Sequence, residues 1–167
     1  ELMKGKVIGW FKDEIEFGSR ALGNRSILAN PMIPGMKDRI NKLVKKREGF
    51  RPFAPMVTKE RQREFFYIND DIPYMNQVVK VKEEYRNKLV SVTHVDGTAR
   101  VQTVYSNTKT HSLLKEFEKL SGIPILLNTS FNIKDKTMVL TPKDAIKTFG
   151  EVDIDILVLQ NFIIYKK

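Results

Sequence analysis

"IPILLNTSFN", residues 123–132, decides how this chain folds. Ile123, Ile125, Leu126 and Leu127 form a short apolar run, and a run of that length with no polar face predicts a buried strand. The chain then passes without a linker into "TSFN". Asn128, Ser130 and Asn132 therefore stand at the strand's C-terminal end. In open α/β sheets that edge is where ligands bind. Taken alone, a Ser/Asn cluster after a strand reads equally well as a turn.

The neighbouring stretches supply the rest of the fold. Upstream, "KTHSLLKEFEKLS" (109–121) places Leu113, Leu114, Phe117 and Leu120 at helical spacing, and Gly122 ends it. Downstream, "TPKDAIKTF" opens a helix with Thr141 as N-cap, Pro142 in the first helical position and Asp144 in the first turn. "IDILVLQNFIIYKK" predicts two closing strands. "KVIGWF" (6–11) reads as a buried strand and "RSILAN" as a second one after a short turn. "GMKDRINKLVKK" carries Met36, Ile40, Leu43 and Val44 as an amphipathic helix ending before Gly49. "FRPFAPMV" contains Pro52 and Pro55, which argue for an extended edge or loop. "RQREFF" predicts a short helix and "MNQVVKVKEEY" (75–85) a strand. "VTHVDGTARVQTVY" has a turn at Asp96 and Gly97 before a strand at Val101–Tyr105. Strand exceeds helix and βαβ alternation is broken. The expected fold is α/β (α+β), a twisted mixed β-sheet with packed helices, in one domain over 1–167.

The bulk numbers agree. A chain of 167 residues that is 41% hydrophobic, with ten Phe, five Tyr and one Trp, has a core to bury. No apolar run approaches the roughly 20 residues of a membrane span, and no signal peptide is visible. Cytoplasmic residence without membrane contact is the default. The first residue is Glu1, so the expectation is a fragment of a longer chain. Cys is absent, which excludes thiol catalysis and disulfides. His94 and His111 are the two histidines, without the short spacing of a zinc site, so no metal site is expected in this chain.

Net charge is +9, concentrated in residues 35–63, where ten Lys/Arg face three acids. A solvated basic helix face explains that segment. A nucleic-acid surface or a polyphosphate pocket explains it as well. Placement is more telling than charge. "SRALGNRS", "VKKREGFRPF", "VDGTAR" and "LLNTSFN" each put basic, hydroxyl or amide side chains in loops beside strands. Phosphate recognition needs such donors: Arg as a planar fork, Lys as a point charge, Ser and Asn as neutral donors. Neither a Walker A motif nor a Gly-x-Gly-x-x-Gly fingerprint occurs.

Together, "EFGSRALGNRSILANP", "NKLVKKREGFRPFAP", "THVDGTARVQTV" and "GIPILLNTSFN" resemble the C-terminal domain of the O-carbamoyltransferases of the NodU/CmcH type, from about Val7 to Tyr165. The resemblance implies a YrdC-like domain that binds ATP, with its Mg²⁺, and carbamoyl phosphate, and forms carbamoyl-adenylate. A separate N-terminal domain of the same polypeptide, actin-like and holding iron or another metal, would transfer the carbamoyl group to an acceptor hydroxyl. Carried over by motif, Lys45, Arg100 and Ser130 are the expected catalytic residues. Arg20, Arg47, Arg51, Asn128 and Asn132 are expected to bind substrate or nucleotide, with Arg25 as a second-rank candidate whose alternative role is to pair with a carboxylate and support its loop. Two departures stand out: Ser19 replaces a Pro of the family, and "IKDKTMV" follows Asn132 where a Gly-containing turn is usual. The alternatives are a YrdC-like RNA-binding module, disfavoured because the basic residues sit among Gly, Pro and small residues, and an inert docking half.

Overall fold

The computed structural model describes residues 1–166; the last residue of the closing stretch, Lys167, lies outside the described residues. Strands β1 (Ile8–Phe11), β2 (Arg25–Ala29), β3 (Ala54–Thr58), β6 (Gln102–Val104), β7 (Ile125–Ser130), β8 (Ile156–Leu159) and β9 (Phe162–Tyr165) form one seven-stranded sheet. Its order is β6-β3-β7-β2-β1-β8-β9. β3 runs parallel to β6 and β1 parallel to β8, and the other pairings are antiparallel. β4 (Val79–Lys80) and β5 (Thr98–Ala99) make a small separate ribbon.

β7 is an interior strand, between β3 and β2, as its apolar run predicts. Side chains alternate across the sheet. Ile125 and Leu127 join Ile27, Ala29, Val57 and Leu157 on one face. Leu126 joins Ile8, Trp10, Leu28, Met56 and Ile156 on the other. The first face is covered by Met36 of α1 (Met36–Arg39), by Ile40 and Val44 after it, and by Ala145 and Phe149 of α5 (Pro142–Glu151). The second is covered by Leu114 and Phe117 of α4 (Lys109–Ser121). Short helices α2 (Gln62–Phe65) and α3 (Glu83–Arg86) belong to the long excursion between β3 and β6. Gly9 has no room for a side chain, because a Cβ there would meet Phe131 Cζ at 2.8 Å. The residue after β7 thereby packs across β1.

The helix ends obey their sequence signals. Gly122 closes α4 in the left-handed conformation at φ 77°. Thr141 accepts from Asp144 N–H in a reciprocal capping box, with Pro142 following it.

Three expectations need correction. The stretch with Pro55 is neither edge nor loop: Ala54–Thr58 is an internal, fully buried strand. The ladder to β6 starts only at Met56, so at Pro55 the strand has β7 alone as a partner, and a missing N–H is tolerated there. Residues 75–85 contribute only Val79–Lys80 as strand, and α3 begins at Glu83. The amphipathic helix of 35–46 is one α-helical turn followed by a π-helical turn, Ile40–Val44. Met36, Ile40 and Val44 are buried as expected, whereas Leu43 faces solvent.

Candidate functional site

Four segments converge beside the C-terminal end of β7. The 12–24 loop brings Ser19, Arg20 and Ala21. The chain after the π-turn brings Arg47, Pro52, Phe53 and Ala54. Met75 and Arg100 come from the excursion before β6, and β7 supplies Asn128, Thr129 and Ser130. They line a cleft of about 100 Å³. Three lining residues are arginines and none is acidic. A larger groove of about 420 Å³, lined by residues such as Trp10, Phe117 and Leu120, is mainly apolar and contains no arginine.

The cations bear on one another. Burial pushes the Arg100 pKa down, and Arg20 pushes it further. Burial likewise lowers that of Arg47; Arg51 and Arg100 add to this, while Glu48 opposes it. Arg100 Nε is buried without a hydrogen-bond partner. Arg47 is held in place by Nε donating to Asn41 Oδ1 at 2.7 Å and by stacking 5.0 Å over Phe53. Like charges gathered in a partly desolvated cleft repel, and an anion placed between them removes that cost.

The Arg20 loop is built from its own polar groups. Glu16 Oε1 accepts from the backbone N–H of Leu22, Asn24 and Arg25 at 2.7, 2.6 and 3.1 Å. Asn128 Nδ2 donates to Ala21 O at 3.0 Å, and Gln102 Nε2 to Leu22 O at 2.7 Å. Arg25 does not line the cleft. It begins β2, its guanidinium stacks 3.5 Å over Phe11, and Nη1 donates to the carbonyls of Lys12, Asp13 and Asn24. It supports the loop, but the expected carboxylate partner is replaced by three backbone carbonyls.

Lys45 and Asn132 stand behind Ser130. Lys45 is 3% exposed, and Nζ donates to Ser130 O (2.7 Å), Ser130 Oγ (3.1 Å), Asn132 O (3.0 Å) and Asn132 Oδ1 (2.6 Å). Burial, with Arg47 adding, lowers its pKa to about 7. Its four oxygen acceptors act in the opposite sense, since they favour the ammonium. Ser130 Oγ donates to Asn132 Oδ1 at 2.6 Å, and Asn132 Nδ2 closes the following turn on Lys136 O at 2.5 Å. Arg51 is paired with Glu48 at 3.1 Å, outside the lining.

Of the nine residues named from sequence, Arg20, Arg47, Arg100, Asn128 and Ser130 thus share one cleft. Gln102, Asn41 and Glu16 were not foreseen. The signal for Gln102 was a polar residue inside a strand run, and for Asn41 a polar residue beside the buried stripe of its helix. Part of the basic segment is ion-paired instead: Arg39 with Asp153 and Asp155, Lys59 with Asp71, Arg61 with Glu64 and Glu118. His94 bonds Thr98, and His111 pairs with Glu60. Among the described residues no group of three His, Cys, Asp or Glu is suited to a metal, and no helix is long and apolar enough to cross a membrane.

Known proteins share this sequence and this fold. The family described as carbamoyltransferase C-terminus matches residues 1–166. Nodulation protein NolNO of Sinorhizobium fredii is 52% identical over 168 residues, covering 98% of this chain and 25% of NolNO. The chain therefore spans about a quarter of that relative. The structure of full-length HypF in the phosphate- and nucleotide-bound form superposes with a TM-score of 0.62 at 18% identity, over 96% of this chain and 20% of HypF. A variant of P. abyssi Sua5 gives 0.56 at 13% identity, over 98% of this chain and 50% of Sua5. These two likenesses concern the fold, which is YrdC-like as the resemblance implied. By a sequence match that runs from the first residue to the last described one, the chain belongs to the carbamoyltransferase C-terminus family.

Proposed function

We propose that this chain is the activating part of an O-carbamoyltransferase. It binds ATP and carbamoyl phosphate and forms carbamoyl-adenylate, which a separate N-terminal domain of the same polypeptide passes to an acceptor hydroxyl. The observation that carries the reading is the acid-free cleft where Arg20, Arg47 and Arg100 meet Ser130 at the end of a central strand. Membership of the carbamoyltransferase family supports it, as does a fold shared with HypF, a protein solved with phosphate and nucleotide bound.

The chemistry asks for charge and alignment. Water cleaves the C–O bond of carbamoyl phosphate, giving carbamate and phosphate. A carbamate oxygen then attacks the α-phosphorus of ATP, and pyrophosphate leaves with the bonding electron pair. No protein nucleophile is needed. The arginines hold phosphoryl oxygens and offset the charge that builds on them, Ser130 adds a neutral donor, and Lys45 fixes the Ser130–Asn132 turn from behind. Arg51 extends the positive field beside Arg47. The lining has no carboxylate for a hard cation, so Mg²⁺ would ride on the phosphates of ATP. A reaction fed by ATP belongs in the cytoplasm.

The test is carbamoyl phosphate-dependent exchange of labelled pyrophosphate into ATP by the full-length enzyme that contains this chain. Exchange that requires both substrates is expected. Its absence refutes the reading. Tight RNA binding with a steep salt slope, indifferent to ATP, would instead favour a nucleic-acid module.

A further inference from the structure

The side-chain amide of Asn128, 2% exposed, has its direction fixed. Nδ2 donates to Ala21 O at 3.0 Å and to Gln102 Oε1 at 2.8 Å. Gln102 is oriented in turn by Nε2 donating to Leu22 O at 2.7 Å. Reversing either amide, or both, would set oxygen against oxygen. Asn128 Oδ1 must therefore point away from these partners, and it is buried with no partner of its own.

A second orphan belongs to the same cleft. Arg100 Nε is buried and unpaired, and Arg100 and Asn128 both line the cavity. One of these atoms donates and the other accepts. Neither has a partner within the protein, at a cost that a suitable ligand would remove. Fully ionised phosphate offers acceptors alone and would serve only the arginines. A carbamoyl group offers a carbonyl oxygen and two N–H donors on one planar unit, so it can answer both orphans.

We propose that Asn128 is a specificity-determining residue: its Oδ1 accepts an N–H of the carbamoyl group and selects carbamoyl phosphate over acyl phosphates that lack one. The inference rests on reading this cleft as the carbamoyl phosphate site. A buried acceptor rejects a ligand that leaves it unpaired more strongly than a shape mismatch of one methyl group would.

The experiment compares carbamoyl phosphate with acetyl phosphate, which replaces the NH₂ by CH₃, by calorimetry on the full-length enzyme. The wild type is expected to bind carbamoyl phosphate at least about tenfold more tightly. Asn128→Thr is expected to bring the two ligands within about twofold of each other. Asn128 also tethers Ala21, so Gln102→Met serves as the control. It loosens the same tether without touching Oδ1, and should weaken both ligands while keeping their ratio. Equal binding of the two ligands by the wild type overturns the proposal without recourse to any variant, and so does a ratio that survives in Asn128→Thr. A wild type that binds neither ligand overturns the carbamoyl phosphate reading of the cleft itself.

Discussion

Replacing Lys45 with methionine sets burial against the oxygens around Nζ. Burial and Arg47 lower this lysine from an ordinary 10.5 to about 7. Between those two values the unfolded chain carries the proton and the folded chain does not, so unfolding takes up a proton. Stability then rises with pH across the window, and below it both states are charged and the contribution is flat. With about 1.36 kcal/mol for each pKa unit, the wild type should gain about 2 kcal/mol over Lys45→Met between pH 7 and pH 9. Methionine keeps an unbranched apolar stem and does not titrate, so the other ionisable groups cancel in the comparison. Urea unfolding of both proteins at about pH 5.5, 7 and 9, with equal m-values, measures the difference. A gap that stays constant from pH 7 to pH 9 would refute the reasoning. It would mean that the two carbonyls, the Ser130 hydroxyl and the Asn132 amide keep Lys45 charged throughout, and that the ammonium is a permanent cation behind Ser130.

Other substitutions probe the cleft and its supports. Arg100→Ala and Arg47→Ala in the full-length enzyme should each lower carbamoyl phosphate-dependent pyrophosphate exchange by about 10²- to 10³-fold, and a near-normal rate in either would remove that arginine from the site. Arg25→Met removes the shared donor of three carbonyls, of which Asn24 O keeps Lys12 N–H; a loss of about 2–3 kcal/mol in unfolding free energy is expected, and an unchanged denaturation midpoint would contradict the support role. Gly23 adopts φ 115°, and a Cβ there would lie 2.5 Å from Thr110 Oγ1. Gly23→Ala should cost at least about 1–3 kcal/mol, and thermal melts that match the wild type would show that the loop adapts freely.

The fold was legible where one segment settles its own structure. Residues 109–121 carry a periodic stripe closed by Gly122, and Thr141, Pro142 and Asp144 mark where the second helix starts; the helices are Lys109–Ser121 and Pro142–Glu151. The run at 125–127 could only be covered from both sides, and it lies in an interior strand of the sheet. Pro55 misled because a proline's tolerance depends on where the neighbouring ladder begins, which is a property of β6 and not of the residue. At the site, the anion-binding character could be read from four segments with similar chemistry. The division of labour could not. Arg20 and Arg25 sit five residues apart in similar company, yet one lines the cleft and the other turns back onto the carbonyls of its own loop. Lys45 likewise shows its role only when the turn after β7 arrives 85 residues later in the chain to surround it.

The π-helical turn at Ile40–Val44 has a bearing on how this chain tolerates insertions and deletions. It widens the helix so that Lys45 N–H bonds Ile40 O, five residues back, and Arg47 N–H bonds Asn41 O, six back. One residue fewer between Ile40 and Lys45 would let the segment revert to a regular α-helix, which is locally the easier structure. With that residue gone, the ordinary α-helical bond four residues back would again join Lys45 N–H to Ile40 O. Met36, Ile40 and Lys45 would therefore keep their places under the sheet and behind Ser130. The change of helix type absorbs a one-residue deletion, and the cation stays aimed. A one-residue insertion finds no such relief, because the turn is already the wide one.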